Sequence, residues 1–163
     1  MNEILHAPQT ISVYSDYSAI LGSNIAGLAG CFVGKGQSFV KARKQYFDNE
    51  SNNQAIYGEM LAVTYCLGIL PEILSEYRMF LERPRSVILY SDLNLITNIQ
   101  NDSITFRKHH FNVVANEIRN LLTELRKGYP LMDITVEYLD KERKRSNIFY
   151  KASHKAARRV IGK

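Results

Sequence analysis

The chain has 163 residues, 45% apolar and 23% charged, with a formal net charge of +5. That is enough chain for one domain with a substantial core, and the balance excludes a disordered polar segment. No apolar run reaches the ~18 residues that span a bilayer, and residues 1–8 lack the basic start and apolar core of a signal peptide, so a cytosolic (cytoplasmic) protein with no membrane partner is expected.

Residues 11–16, Ile-Ser-Val-Tyr-Ser-Asp, alternate and predict a strand closed by Asp16. After a turn at Gly22-Ser23-Asn24, the small and apolar run Ile25 to Val33 predicts a second strand. Gly34-Lys35-Gly36 marks a hairpin into a third strand, Ser38 to Phe47. The three form an antiparallel meander. Residues 48–53 are polar and loop-like. A helix is predicted from Gln54 to Ile69, with Ile56, Met60, Val63 and Leu67 at helical spacing, and Pro71 starts a second helical piece up to Leu81. Ser86 to Ser91 is a short apolar strand of the kind buried on both faces. Leu93 to Ile99 predicts a short helix and Phe106 to Arg126 a longer one, ended by Gly128 and Pro130. Asp133 to Leu139 alternates as a last strand, and Ile148 to Val160 closes the chain as a helix.

This order, βββαβαβα with right-handed crossovers late in the chain, predicts a mixed sheet with helices on its faces. The organisation expected is a single domain over 1–163, with a short extension at 1–9 and a basic C-terminal helix at 147–163. Cys31 and Cys66 fall in no C-x-x-C pair, which argues against zinc and predicts reduced core thiols.

The charge is unevenly placed. From Lys141 to Lys163, nine Lys or Arg stand against one acid, Glu142, while the rest of the chain carries twelve basic against fifteen acidic residues. Lys144, Arg145, Lys151, Lys155, Arg158 and Arg159 therefore form a candidate grip on phosphates, against the plainer reading of a solvated helix face.

Three acids occupy places where a lone carboxylate is costly. Asp16 and Asp92 close strand-like runs, and Glu59 lies inside an apolar helical run. In open α/β sheets, sites form outside the carboxyl ends of the strands. If the first and fourth strands are neighbours, the two aspartates lie side by side and Glu59 reaches them from the facing helix. Converging carboxylates repel unless hard divalent cations, Mg²⁺ or Mn²⁺, sit among them. Two such ions suit phosphodiester hydrolysis.

At these residues the chain resembles the ribonuclease H family, from Ile11 to Ile161. The resemblance rests on Tyr14-Ser15-Asp16-Tyr17-Ser18, and on Asn52-Asn53 ahead of Gly58-Glu59-Met60-Leu61-Ala62. It continues in Leu89-Tyr90-Ser91-Asp92, and in Val136-Glu137-Tyr138-Leu139 followed by Asn147 and a helix. It implies an α/β fold, a five-stranded mixed sheet in the order 3-2-1-4-5 flanked by helices. It also implies Asp16, Glu59 and Asp92 as catalytic metal ligands, and contacts to nucleic acid by Ser18, Asn52 and Asn53.

The chain departs from the family pattern at three points, one of them the lack of a separate basic handle between helices, although Arg107-Lys108-His109-His110 could serve a related purpose. The usual fourth acid, four residues past Asn147, is replaced by Lys151. The loop expected after the last strand, glycine-rich with a histidine, is replaced by Asp140-Lys141-Glu142-Arg143-Lys144-Arg145. His154 shares a helix face with Lys151 and is the candidate for the fourth catalytic and ligand position. An inward Lys151 would instead supply positive charge itself. The function expected is a metal-dependent endonuclease hydrolysing the RNA strand of RNA–DNA hybrids. The alternatives are a DNA nuclease of resolvase type and a non-catalytic module that binds nucleic acid or protein.

Overall fold

The alternation of the first third of the chain resolves into three ten-residue strands, β1 (Thr10–Ala19), β2 (Ile25–Gly34) and β3 (Gln37–Tyr46). They belong to a computed structural model that describes residues 1–47, 55–76 and 84–163. A short helix, α1 (Asn2–Leu5), precedes them, so part of the expected extension is folded. Lys35 and Gly36 both take positive φ, 54° and 75°, the pair of angles that a tight hairpin needs at its two central positions.

The remaining elements are α2 (Ala55–Glu76), β4 (Ser86–Ser91), α3 (Ile96–Gln100), α4 (His109–Gly128), β5 (Asp133–Tyr138), α5 (Lys141–Ser146) and α6 (Ile148–Arg159). The sheet runs β3-β2-β1-β4-β5. β1 pairs antiparallel with β2 and parallel with β4, and β5 adds parallel to β4. The five-stranded mixed sheet in the order 3-2-1-4-5 is thus the one the sequence predicts.

Alternation along β1 divides the core between the two faces. Ile11 and Val13 point into the larger apolar cluster with α2 and α4, where Met60, Val63, Leu67, Leu70, Ile118 and Leu122 are buried. Tyr14 points the other way, stacked between Tyr90 and Phe149 at ring distances of 5.2 and 6.3 Å. That second cluster seats the start of α6.

Two expectations are corrected. First, α2 is one helix rather than two, with Pro71 inside it. An internal proline costs about 3 kcal/mol, but burial of Leu70, Ile73 and Leu74 beside it contributes roughly 1.5–3 kcal/mol each. By length and mean hydropathy α2 is the one described helix that could cross a bilayer, although Glu59 and Glu72 interrupt its apolar run. Here its apolar surface is used against the sheet and α4. Second, residues 141–146, read as a replaced loop, form α5. Asp140 caps it by accepting from the Arg143 backbone N–H at 2.9 Å.

Smaller differences have local causes. The predicted start of α4 at Phe106 is pre-empted because the Asn112 side chain bonds both the N–H and the C=O of Phe106, at 2.8 and 2.7 Å. Gly27 and Gly30 lie in β2. Cys31 and Cys66 are free and buried.

Candidate metal centre

Asp16 does not end its strand. β1 continues to Ala19 against β2, whereas its pairing with β4 stops at Tyr14↔Tyr90. Beyond that point the sheet has a gap on the β4 side, and Asp92, just past the end of β4, turns into it. Glu59 comes from the first turns of α2 on the opposite face. Gly58 makes that approach possible: a Cβ there would lie 2.3 Å from the Tyr17 ring. The three acids therefore meet, and one carboxylate oxygen from each of Asp16, Glu59 and Asp92 lies within 4.8 Å of the other two.

The second wall of the site is α6. It packs closely on β2, because Gly27 leaves room for Ala157 O at a place where a Cβ would stand 1.9 Å away. Its N-terminus is set by Asn147, whose buried Oδ1 accepts from the N–H groups of Phe149 and Tyr150, both at 2.9 Å. This capping presents Tyr150 and, one turn on, His154 to the carboxylates. Tyr150 OH donates to Asp16 Oδ1 at 2.9 Å and lies 3.4 Å from Asp92 Oδ2. His154 Nδ1 stands 2.8 Å from Asp16 Oδ2, within hydrogen-bond distance. From α5, Lys144 Nζ donates to Asp92 Oδ2 at 2.8 Å.

Asp16 is 2% exposed, and both of its oxygens are held. Glu59 is different: its Oε2 is sealed from solvent and has no hydrogen-bond partner. A buried, unpartnered carboxylate oxygen costs several kcal/mol while ionised. Burial pushes the Glu59 carboxyl well above its usual range, and the charges of Asp16 and Asp92 push it further. Asp16 is raised as well, chiefly by burial, against the hydrogen bonds from His154 and Tyr150. The Tyr150 hydroxyl is strongly raised by burial and by the two aspartates, so it stays a donor. Desolvation would lower the Lys144 ammonium, but its bond to Asp92 and the charges of Asp92, Asp16 and Glu59 together raise it.

These observations test whether a cation fits. The donors are all carboxylate oxygens, they converge, and one is buried without a partner. That is the donor set of a hard divalent ion, Mg²⁺ or Mn²⁺.

The other expected site residues fall as follows. His154 is not among the converging ligand atoms and touches Asp16 instead. Lys151 is exposed rather than buried against the carboxylates. The inward ammonium belongs to Lys144, which sequence reasoning assigned to phosphate binding. Lys144 and Lys151 line an open basin with Lys141, Arg145, Tyr150 and His154. Arg145, Lys155, Arg158 and Arg159 are exposed. Ser18 lies two residues beyond Asp16 on the same strand face and is 8% exposed, which leaves little of it for a ligand to touch. Asn52 and Asn53 lie outside the described residues. Tyr150 was missed in the sequence; its signal was its place three residues past a capping asparagine, on the helix face that carries His154.

No protein-family model matches the sequence, and no curated protein matches it. Solved structures do. Ribonuclease H1 of the archaeon Halobacterium salinarum superposes with a TM-score of 0.64 at 12% identity, covering 93% of this chain and 97% of that one. The LC11 ribonuclease H1, isolated from compost by a metagenomic approach, gives 0.63 at 13%, covering 94% and 99%. The same LC11 enzyme in complex with an RNA/DNA hybrid gives 0.58 at 15%, covering 93% and 99%. The chain has the ribonuclease H fold.

Proposed function

We propose that the protein is a metal-dependent nuclease that hydrolyses the RNA strand of RNA–DNA hybrids. The observation that carries this reading is the convergence of Asp16, Glu59 and Asp92 within 4.8 Å, with Glu59 Oε2 buried and unpartnered. The exposed cations of α5 and α6 beside it support a nucleic-acid substrate, and the hybrid bound by a structural neighbour suggests which one.

In this reading Asp16, Glu59 and Asp92 hold Mg²⁺ or Mn²⁺. When bound, the cation lowers the pKa of a coordinated water and offsets charge on the phosphate. His154 and Tyr150 favour the ionised form of Asp16 against its burial and aim it. Lys141, Arg145, Lys151, Lys155 and Arg158 take backbone phosphates, which positions a duplex without reading its sequence. Asn52 and Asn53 keep the nucleic-acid contacts that the resemblance implies for them, whereas the burial of Ser18 argues against a contact there.

A second reading, a non-catalytic nucleic-acid-binding module, is favoured by one observation: the Lys144 ammonium on Asp92 already offsets part of the negative charge. The two are separated by offering labelled RNA–DNA hybrid, branched DNA and single strands with Mg²⁺ or Mn²⁺. Cleavage of the RNA strand that is lost in Asp16→Asn supports the nuclease. Cleavage of branched DNA alone makes it a DNA nuclease, and binding without cleavage supports the module.

A further inference from the structure

The carboxylate cluster is closed on one side. Asp16 spends one oxygen on Tyr150 and the other on His154, and Asp92 Oδ2 is shared between Lys144 and Tyr150. The helix on that side, α6, contributes no acid: from Arg143 to the C-terminus the sequence has none. What the cluster meets there is an ammonium, a phenol and an imidazole. Lys144 is fixed in this place by three features. Its Nζ is 2.8 Å from Asp92 Oδ2, it lies 5.2 Å over the Tyr150 ring, and its helix is capped by Asp140.

On the other side, Glu59 Oε2 is buried without a partner among the three carboxylates. The cluster therefore has the donors and charge for one divalent ion, and a built-in monovalent cation where a second would need ligands.

We propose that this centre takes a single divalent ion, and that the Lys144 ammonium stands in for a second. The inference rests on the metal-dependent reading above and revises the pair of ions expected from the sequence. Lys144 acts through Asp92 as a fixed charge, so it is a positioning residue. A consequence follows for the first ion: a cation a few ångström away repels it, and removing that cation tightens its binding by about tenfold or more.

The test is Mn²⁺ titration of the full-length protein, by calorimetry for stoichiometry and electron paramagnetic resonance for spin coupling. Wild type is expected to bind one Mn²⁺ with the signal of an isolated ion, and Asp16→Asn to lose it. Lys144→Gln should still bind one, about tenfold more tightly. Lys144→Glu, which restores a fourth carboxylate, should bind two coupled ions. Thermal melts of both variants establish that they fold, and either one alone decides the question. Two coupled ions in wild type, or no change in affinity and stoichiometry in a folded Lys144 variant, overturns the inference and leaves the nuclease reading standing. No Mn²⁺ bound by wild type at millimolar metal overturns the nuclease reading itself, and the inference with it.

Discussion

Glu59 is a buried carboxyl with one unpartnered oxygen, and its behaviour with pH follows from that. The folded state raises the pKa of Glu59 and of Asp16 above the ordinary carboxylate range. Between that ordinary range and the raised values, the native protein binds more protons than the unfolded chain, so stability falls as pH rises. Metal-free protein should therefore melt higher at pH 5 than at pH 7. Added Mg²⁺ should raise the melting temperature at pH 7 and do little at pH 5. Glu59→Gln, of nearly the same shape, should flatten the pH dependence and remove the response to Mg²⁺. Each kcal/mol recovered moves the midpoint by about 2–4 °C for a chain of this size. Calorimetric melts at the two pH values, with and without Mg²⁺, read this directly; a Glu59→Gln melt that still responds to Mg²⁺ contradicts it. At this scale the sequence was partly legible. Asp16, Glu59 and Asp92 stood out because acids in apolar runs are rare. Lys144 did not, because nothing in a run of basic residues says which one turns inward.

Two contacts set the position of α6 relative to the sheet. Asn147 caps its first turn, and Gly27 lets its Ala157 turn sit against β2. Losing such a cap costs about 0.5–2 kcal/mol, so Asn147→Ala should lower the unfolding free energy read from urea titration by that amount. Because Tyr150 and His154 ride on the same helix, it should also weaken Mn²⁺ binding several-fold. Gly27→Ala forces a Cβ into the Ala157 carbonyl, and a shift of backbone here should cost about 1–3 kcal/mol. Urea titration combined with Mn²⁺ titration checks both; unchanged metal affinity in a clearly destabilised Asn147→Ala would separate α6 from the site. Element existence was legible from periodicity for β1 to β5, α4 and α6. The continuity of α2 through Pro71 was not, because the burial that offsets the proline is a tertiary effect. α5 was hidden by charge: six residues with no apolar periodicity are held by one aspartate cap and by the Lys144–Asp92 contact.

Across the whole molecule, the positive charge sits beside the carboxylates, on α5 and α6, while the rest of the chain is net negative. Duplex binding should therefore weaken linearly in log–log plots against salt. Lys151→Ala and Arg158→Ala should each reduce that slope by about one, with similar losses on every sequence. Fluorescence anisotropy over a salt series measures it, and slopes unaltered by either change would move the nucleic acid off this face. The strand order was legible because a meander followed by crossovers leaves few sheet topologies open. The direction in which each basic side chain points was not. The claim under all of this is that Asp16, Glu59 and Asp92 are ligands of a divalent cation. Its most direct test is a crystal structure of the protein grown with Mn²⁺, recorded for anomalous scattering. A peak among the three carboxylates, with Glu59 Oε2 bonded to it at about 2.0–2.3 Å, is the predicted result; millimolar Mn²⁺ with no peak there contradicts it.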